Sequence, residues 1–307
     1  MFELRKSLDD LNFSGTLELL VADLRFKSQL TNILALHQPE IIFHAAAHKH
    51  VPMMEVNAAE AVFNNIFGTK NLFELATEFG VERLVFISSD KAVAPTNIMG
   101  ATKRIGELMA QRNGGGTHFS CVRFGNVLDS RGSVVPIFRE QIARGGPITI
   151  TNPEMRRYFM TIPEAVHLIL MAGQMEECGS LFVLDMGNPR SVVELARELV
   201  EINGLRLGQD IQMVVTGTRP GEKLTESLCS RYETLVRTSY ERILRVESPR
   251  PPREQLEACL EKLWDAVTAG DELAIRLAFC EVGIWLPAGP TPRTIPQPDP
   301  VPLYQTR

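Results

Sequence analysis

Residues 83–105 read Arg-Leu-Val-Phe-Ile-Ser-Ser-Asp-Lys-Ala-Val-Ala-Pro-Thr-Asn-Ile-Met-Gly-Ala-Thr-Lys-Arg-Ile, and the fold class turns on them. Leu84 to Ile87 is a continuous apolar run, which suits a strand buried on both faces of a parallel sheet. The run stops abruptly at Ser88, Ser89, Asp90 and Lys91. Ligands of open α/β sheets bind beyond the carboxyl ends of the strands, so these four side chains stand where chemistry would be done. Pro95 excludes helix, and Thr96 or Asn97 can cap a new one. That helix would carry Met99 and Lys103 on one face, four residues apart. Read blandly, the same stretch is a strand, a turn and a capped helix with a surface ion pair.

Upstream, residues 2–12 show apolar spacing at 4, 8 and 11 and predict a short amphipathic helix. Leu17–Ala22 reads as a buried strand ending in Asp23, and residues 26–36 as a helix. Ile41-Ile42-Phe43 is a third apolar run, followed by His44-Ala45-Ala46-Ala47-His48-Lys49-His50. Only small side chains let a flat ligand lie against a strand end, so the alanines suit a cofactor contact. The three histidines invite a zinc reading, but no carboxylate or cysteine stands nearby at metal spacing, and no metal is expected. A helical pattern from Glu55 to Phe79 is interrupted by Gly68 and holds Asn64 and Asn65 at its middle. Paired asparagine is unfavourable inside a helix, so these side chains either bond to something specific or turn to solvent.

Downstream, His118–Phe124 predicts another strand, and the alternation with helices of ten or more residues signals a parallel α/β sheet. From Val127 the texture changes to loops, with a strand at Ile148–Thr151, a helix from Pro163 to Met175, a strand at Leu181–Met186 and a helix at Val192–Ile202. Arg219-Pro220-Gly221-Glu222-Lys223 predicts a turn between a strand, Ile211–Val215, and a helix; its guanidinium could clasp a phosphate. One or two helices are expected in residues 253–280. From Pro287 onward, seven prolines in 21 residues predict a disordered tail. No internal repeat is visible.

Composition narrows the function classes. The chain has 307 residues, 44% of them hydrophobic, and a net charge of −5, which fit a soluble globular protein. Basic residues are scattered, so a nucleic-acid partner is not expected. No run approaches the roughly 18 apolar residues of a membrane span, and the N-terminus lacks a secretory apolar stretch. The five cysteines are dispersed, which predicts reduced thiols in a cytoplasmic protein.

Seven segments then carry a resemblance: HAAAHKHVPMME (44–55), NNIFGTKNL (64–72), FISSDKAVAPTNIMGATKR (86–104), RFGNVLDSRGSVVPIF (123–138), RRYFMTIPEA (156–165), FVLDMG (182–187) and TRPGEKLTE (218–226). Together they resemble the CapD-like polysaccharide biosynthesis proteins of the extended short-chain dehydrogenase/reductase superfamily, the nucleotide-sugar 4,6-dehydratases that act on UDP-N-acetylglucosamine. The resemblance implies a Rossmann-type dinucleotide-binding part over 1–126, a smaller nucleotide-sugar-binding α/β part interleaved with it over 127–286, and a tail over 287–307. It implies NAD(P), C4 oxidation, loss of water across C5–C6 and hydride return to C6. Asp90 is then the acid for the leaving hydroxyl, Lys91 the base at C5, Ser89 the hydroxyl on the C4 oxygen and Lys103 the lysine on the nicotinamide ribose. Cofactor contacts fall on Asp23, Leu24, Ala45, Ala46, Lys49 and Asn64. Substrate contacts fall on Lys49, Asn126, Arg131, Ser133, Arg219 and Glu222. A homo-oligomer is implied, with membrane attachment only through segments upstream of this sequence.

Two departures stand out. The superfamily's tyrosine, four residues before Lys103, is Met99, and a thioether cannot move a proton. The larger CapD-like proteins share this methionine, and it weighs against a UDP-sugar 4-epimerase. No glycine-rich turn occurs between Met1 and Asp23, so the first two strands of the Rossmann order and their pyrophosphate-binding turn are expected to be missing. Leu17–Ala22 should then pair directly with Ile41–His44 or sit detached, and the His44 strand should expose an edge. A non-catalytic nucleotide-sugar-binding remnant is the alternative to the enzyme.

Overall fold

The computed structural model describes residues 15–112, 115–130, 132–175 and 179–287. The helix expected at 2–12 and the tail beyond Pro287 lie outside the described residues. Six strands form the central sheet: β1 Ile41–His44, β2 Arg83–Ile87, β3 His118–Arg123, β4 Ser180–Leu184, β5 Thr234–Arg237 and β6 Ile243–Glu247. Their order is β1-β2-β3-β4-β6-β5, with β1 to β4 parallel and β6 and β5 added antiparallel. The run at residues 84–86 is fully buried, as a strand covered on both faces must be.

Among the described residues β1 pairs only with β2 and forms the outer edge, as expected. Leu17–Ala22 is not a strand: it lies detached, with Val21 80% exposed. It is tied to the first helix, α1 Lys27–His37, by Gln29, whose amide bonds to the Val21 carbonyl and the Asp23 N–H, and by Glu18, 3.8 Å from His37 Nε2. An apolar run becomes a strand only where a neighbouring edge takes up its backbone groups. Two further expectations need correction. The strand predicted at Ile211–Val215 is only Met213–Val215, paired parallel with Ile148–Ile150. No helix follows the 219–223 turn, because arginines occupy the carbonyls that helical amides would need. Arg157 bonds to the Lys223 and Leu224 carbonyls, and the Arg156 N–H to Leu224 as well.

α2 Thr69–Glu78 and α3 Ile98–Ala110 pack on one face of the sheet, and α5 Ile162–Gln174 on the other. Asn97 is the α3 cap, its Oδ1 accepting from Gly100 N at 2.7 Å. Phe73 meets Phe86 and Phe119 edge-on, with centroids 5.8 and 5.2 Å apart, so three large rings interlock beneath β2. α4 Val134–Ala143 and α6 Val192–Ile202 enclose a separate core around Phe138, Ile142 and Leu199. α7 Arg253–Ala269 and α8 Glu272–Ala278 return to the main core through Leu263 and Ile275. Among the described residues no helix is long and apolar enough to cross a membrane.

The predicted long helix is broken by a π-helical turn at Phe63–Gly68. That turn gives the paired asparagines their reason. Asn65 is buried; its Oδ1 accepts from His48 N at 2.8 Å, and its amide bonds to His48 O and Thr102 Oγ1. It pins the loop after β1 to α3.

Candidate active site

A cavity of about 500 Å³ opens beyond the carboxyl ends of β1, β2 and β3. Its walls are the loops after those strands, the start of α4 and the chain from 219 to 226. Ala45, Lys49, Ser89, Lys91, Met99, Lys103, Asn126, Ser133, Arg219 and Glu222 all line it. Asp90 lies directly behind that wall. Asp23, Leu24, Ala46 and Asn64 do not line it, and Arg131 lies outside the described residues.

The turn after β2 is held by an extension of the sheet ladder, with Ser88 N bonding to Val122 O and Asp90 N to Phe124 O. Ser89 caps the following 3-10 turn through Lys91 N, and its hydroxyl donates to Asp90 Oδ1 at 3.0 Å. Lys91 Nζ donates to the same Oδ1 at 3.0 Å and reaches Asn126 Oδ1 at 3.4 Å. Asp90 is fully buried, and among the described residues its Oδ2 has no hydrogen-bond partner. That oxygen faces Gly125, where a Cβ would come within 2.9 Å of it. A carboxyl and an amine thus share one hydrogen bond at the end of β2.

On α3, Met99 is buried on the cavity wall beside Lys103, as the four-residue spacing predicted. Lys103 Nζ donates to Ile87 O at 2.8 Å and stands 4.7 Å from the centroid of Phe86. Burial pulls this ammonium down to about 8 against the opposing charge of Glu107. Burial, and then the Lys103 charge, hold His44 at about 3. His44 therefore stays neutral, bonded to Thr69 Oγ1. Among the described residues no three His, Cys, Asp or Glu side chains gather at metal-binding distance. Asp23 is clasped by Arg25 Nε and Nη2, whose hydrogen bonds hold its carboxyl below the usual range.

At the far wall, Ser133 precedes α4 without capping it, and its buried Oγ has no hydrogen-bond partner among the described residues. The positive end of α4 opens on the cavity there. Arg219 is exposed, and its N–H donates to Glu222 Oε2 at 3.2 Å. Lys49 is exposed too, yet partial desolvation lowers its ammonium. The 219–226 chain is tied to the turn around Asn97. Gly221 O accepts from Thr96 Oγ1 and Asn97 Nδ2, and Lys223 Nζ donates to Val93 O. Gly221 adopts φ +74°, and a Cβ there would meet Asn97 Cβ at 2.6 Å, so glycine is required twice over.

Sequence reasoning passed over Arg157 and Glu226, which also line the cavity. Both lie inside segments singled out by their motif, and a buried charge in a motif was the available signal. A dinucleotide has two ends to hold, and the residues present fit one of them. Lys103, Ser89 and the small Ala45 line the same cavity and are the residues that could hold a nicotinamide ribose. Among the described residues no glycine-rich turn stands beside β1 to hold a pyrophosphate.

Comparison with known proteins identifies the family and its relatives. Residues 2–248 match the family described as polysaccharide biosynthesis protein. The chain is 47% identical to the capsular polysaccharide biosynthesis protein CapD of Staphylococcus aureus over 80% of its length, and spans 41% of that protein. It is 40% identical to a UDP-glucose 4-epimerase of Rickettsia rickettsii over 65% of its length, covering 58% of that enzyme. The crystal structure of Pen from Bacillus thuringiensis superposes with a TM-score of 0.72 at 33% identity, covering 81% of this chain and 76% of the other.

Proposed function

The chain belongs to the polysaccharide biosynthesis protein family, and from that premise we propose a nucleotide-sugar 4,6-dehydratase that acts on UDP-N-acetylglucosamine with NAD(P). The observation that carries this reading is the 3.0 Å hydrogen bond from Lys91 Nζ, on the cavity wall, to Asp90 Oδ1 directly behind it. Elimination of water needs a base and an acid at adjacent carbons, and an epimerase does not.

When bound, the nicotinamide supplies a hydride acceptor for C4 and returns that hydride at C6. The resulting C4 ketone acidifies the C5 proton. Lys91 can take that proton only as a neutral amine, and Asp90 can give one only as a carboxylic acid. A proton moving along their shared hydrogen bond converts the ion pair into that acid and base without changing net charge. Lys91 then takes the C5 proton, Asp90 protonates the departing C6 hydroxyl, and water leaves. The pair is an ion pair again; Lys91 then gives a proton back to C5 as C6 is reduced, and the proton that the C4 hydroxyl released to solvent on oxidation is regained from solvent. Ser89 would hold the C4 oxygen and Lys103 the nicotinamide ribose. The α4 N-terminus and Arg219 suit the diphosphate, with Asn126 and Glu222 contacting the substrate. The same reading places a homo-oligomer in the cytoplasm, checked by its mass in solution.

The runner-up is a UDP-sugar 4-epimerase, favoured by the Rickettsia resemblance and opposed by Met99. Proton NMR of products from UDP-N-acetylglucosamine separates them. A C6 methyl signal is expected, whereas a C4 epimer retaining its C6 hydroxyl would refute the dehydratase. Met99→Leu should retain most activity, because it conserves volume and removes no proton path. A loss as deep as that of a Lys91 variant would give the sulfur a role outside this scheme.

A further inference from the structure

We propose that Glu226 is a sugar-binding carboxylate of this cavity, accepting hydrogen bonds from the hydroxyl or amide N–H donors of the pyranose. The proposal rests on the nucleotide-sugar reading and adds a residue to it. Glu226 lines the cavity but is only 3% exposed. Among the described residues its Oε2 has no hydrogen-bond partner, and it forms an ion pair with Lys223 Nζ at 3.4 Å. That ammonium is already committed to Val93 O at 2.8 Å.

A carboxylate taken from water and left without hydrogen bonds destabilises the fold, so an orphan of this kind asks for a ligand. Two other buried atoms at the same site share the condition, Asp90 Oδ2 and Ser133 Oγ. Both belong to residues that the motifs had already placed at the site. The same signature selects Glu226 without using the motifs.

Charge and depth decide which part of the ligand it meets. An ionised carboxylate repels a diphosphate, and the cation suited to that group, Arg219, is exposed at the rim. Glu226 sits deeper, beside the Lys223 contact to Val93 in the turn that carries Asp90 and Lys91. A neutral sugar is the part of the ligand that reaches this turn. A carboxylate can only accept, which matches a ring bearing several donors.

Calorimetric titration of the chain and of Glu226→Gln with UDP-N-acetylglucosamine, and separately with UDP, tests this. Losing charge-assisted bonds should weaken the sugar nucleotide roughly 10- to 100-fold, while UDP affinity stays unchanged. Without ligand the variant should melt close to the parent, because glutamine keeps the shape and gives up only a 3.4 Å ion pair to a partly exposed lysine. Unchanged affinity for the sugar nucleotide, or equal losses for both ligands, overturns the proposal. So does a lower melting temperature with no loss of sugar discrimination, which would assign Glu226 to pairing with Lys223. If the unmutated chain binds neither ligand, the nucleotide-sugar reading itself fails, and that result is distinct from the others.

Discussion

Lys91→Ala is expected to remove solvent deuterium incorporation at C5 and to lower turnover of UDP-N-acetylglucosamine by roughly 10²–10⁴. The amine lines the cavity and touches Asp90 Oδ1, so alanine deletes the proposed base and leaves a fully buried carboxylate without its cation. Those two consequences need separating. Lys91→Arg keeps a positive charge beside Asp90 but cannot become neutral in the working pH range. It should therefore fail as a base almost as completely as alanine while melting closer to the parent. Asp90→Asn should slow loss of the C6 hydroxyl and still permit C4 oxidation, since asparagine donates a hydrogen bond but not a proton. Mass spectrometry of the sugar after turnover in deuterium oxide reads C5 exchange and water loss independently. Near-normal exchange in Lys91→Arg would sink the assignment of the base.

How much of this was legible in the sequence depends on how local the signal was. β2, the turn after it and α3 follow from a short apolar run, a proline and a capping asparagine, and the structure has them where those residues demand. Met99 and Lys103 share a wall because four residues return a helix to the same face. Asn65 was visible as an anomaly, two amides in a helix, although its partners at His48 and Thr102 were not. Leu17–Ala22 shows the limit from the other side. Its composition is that of a strand, but a strand exists only by pairing, and it does not pair with the open edge of β1. β5 and β6 escaped because their exposed positions blur the apolar pattern, and the antiparallel return is set by the turn at Tyr240 rather than by periodicity.

Least legible was the charge network beneath the site, whose members lie far apart in the chain, and its disruption should have the largest effect on stability. Arg123, fully buried in β3, donates to both Glu107 oxygens at 2.6 and 2.7 Å and to both Glu233 oxygens at 2.9 and 3.0 Å. Ser88 Oγ donates to Glu107 Oε1, so the network reaches the turn carrying Asp90. Glu107→Gln should cost about 3–5 kcal/mol, the range for stripping a partner from a buried charge, read as a lower midpoint in urea at constant slope. Adding Arg123→Met should cost less than the sum of the single changes, because the stranded guanidinium goes too.

The pH dependence gives the sign. Burial pushes the Glu107 carboxyl up, but the charge and hydrogen bonds of Arg123, with help from Arg104 and Ser88, more than offset it. Its folded value therefore lies below that of the unfolded chain. The stability it contributes is present above an ordinary glutamate pKa of about 4.3 and is lost as pH falls through the folded value. The gap between the parent and Glu107→Gln should accordingly narrow in acid. His44, held at about 3 when folded, takes up its proton on unfolding in both proteins, so its contribution cancels in the comparison. A gap that stayed constant between about pH 5 and pH 3, or a cost below about 1 kcal/mol, would mean that Glu107 is not ionised against Arg123.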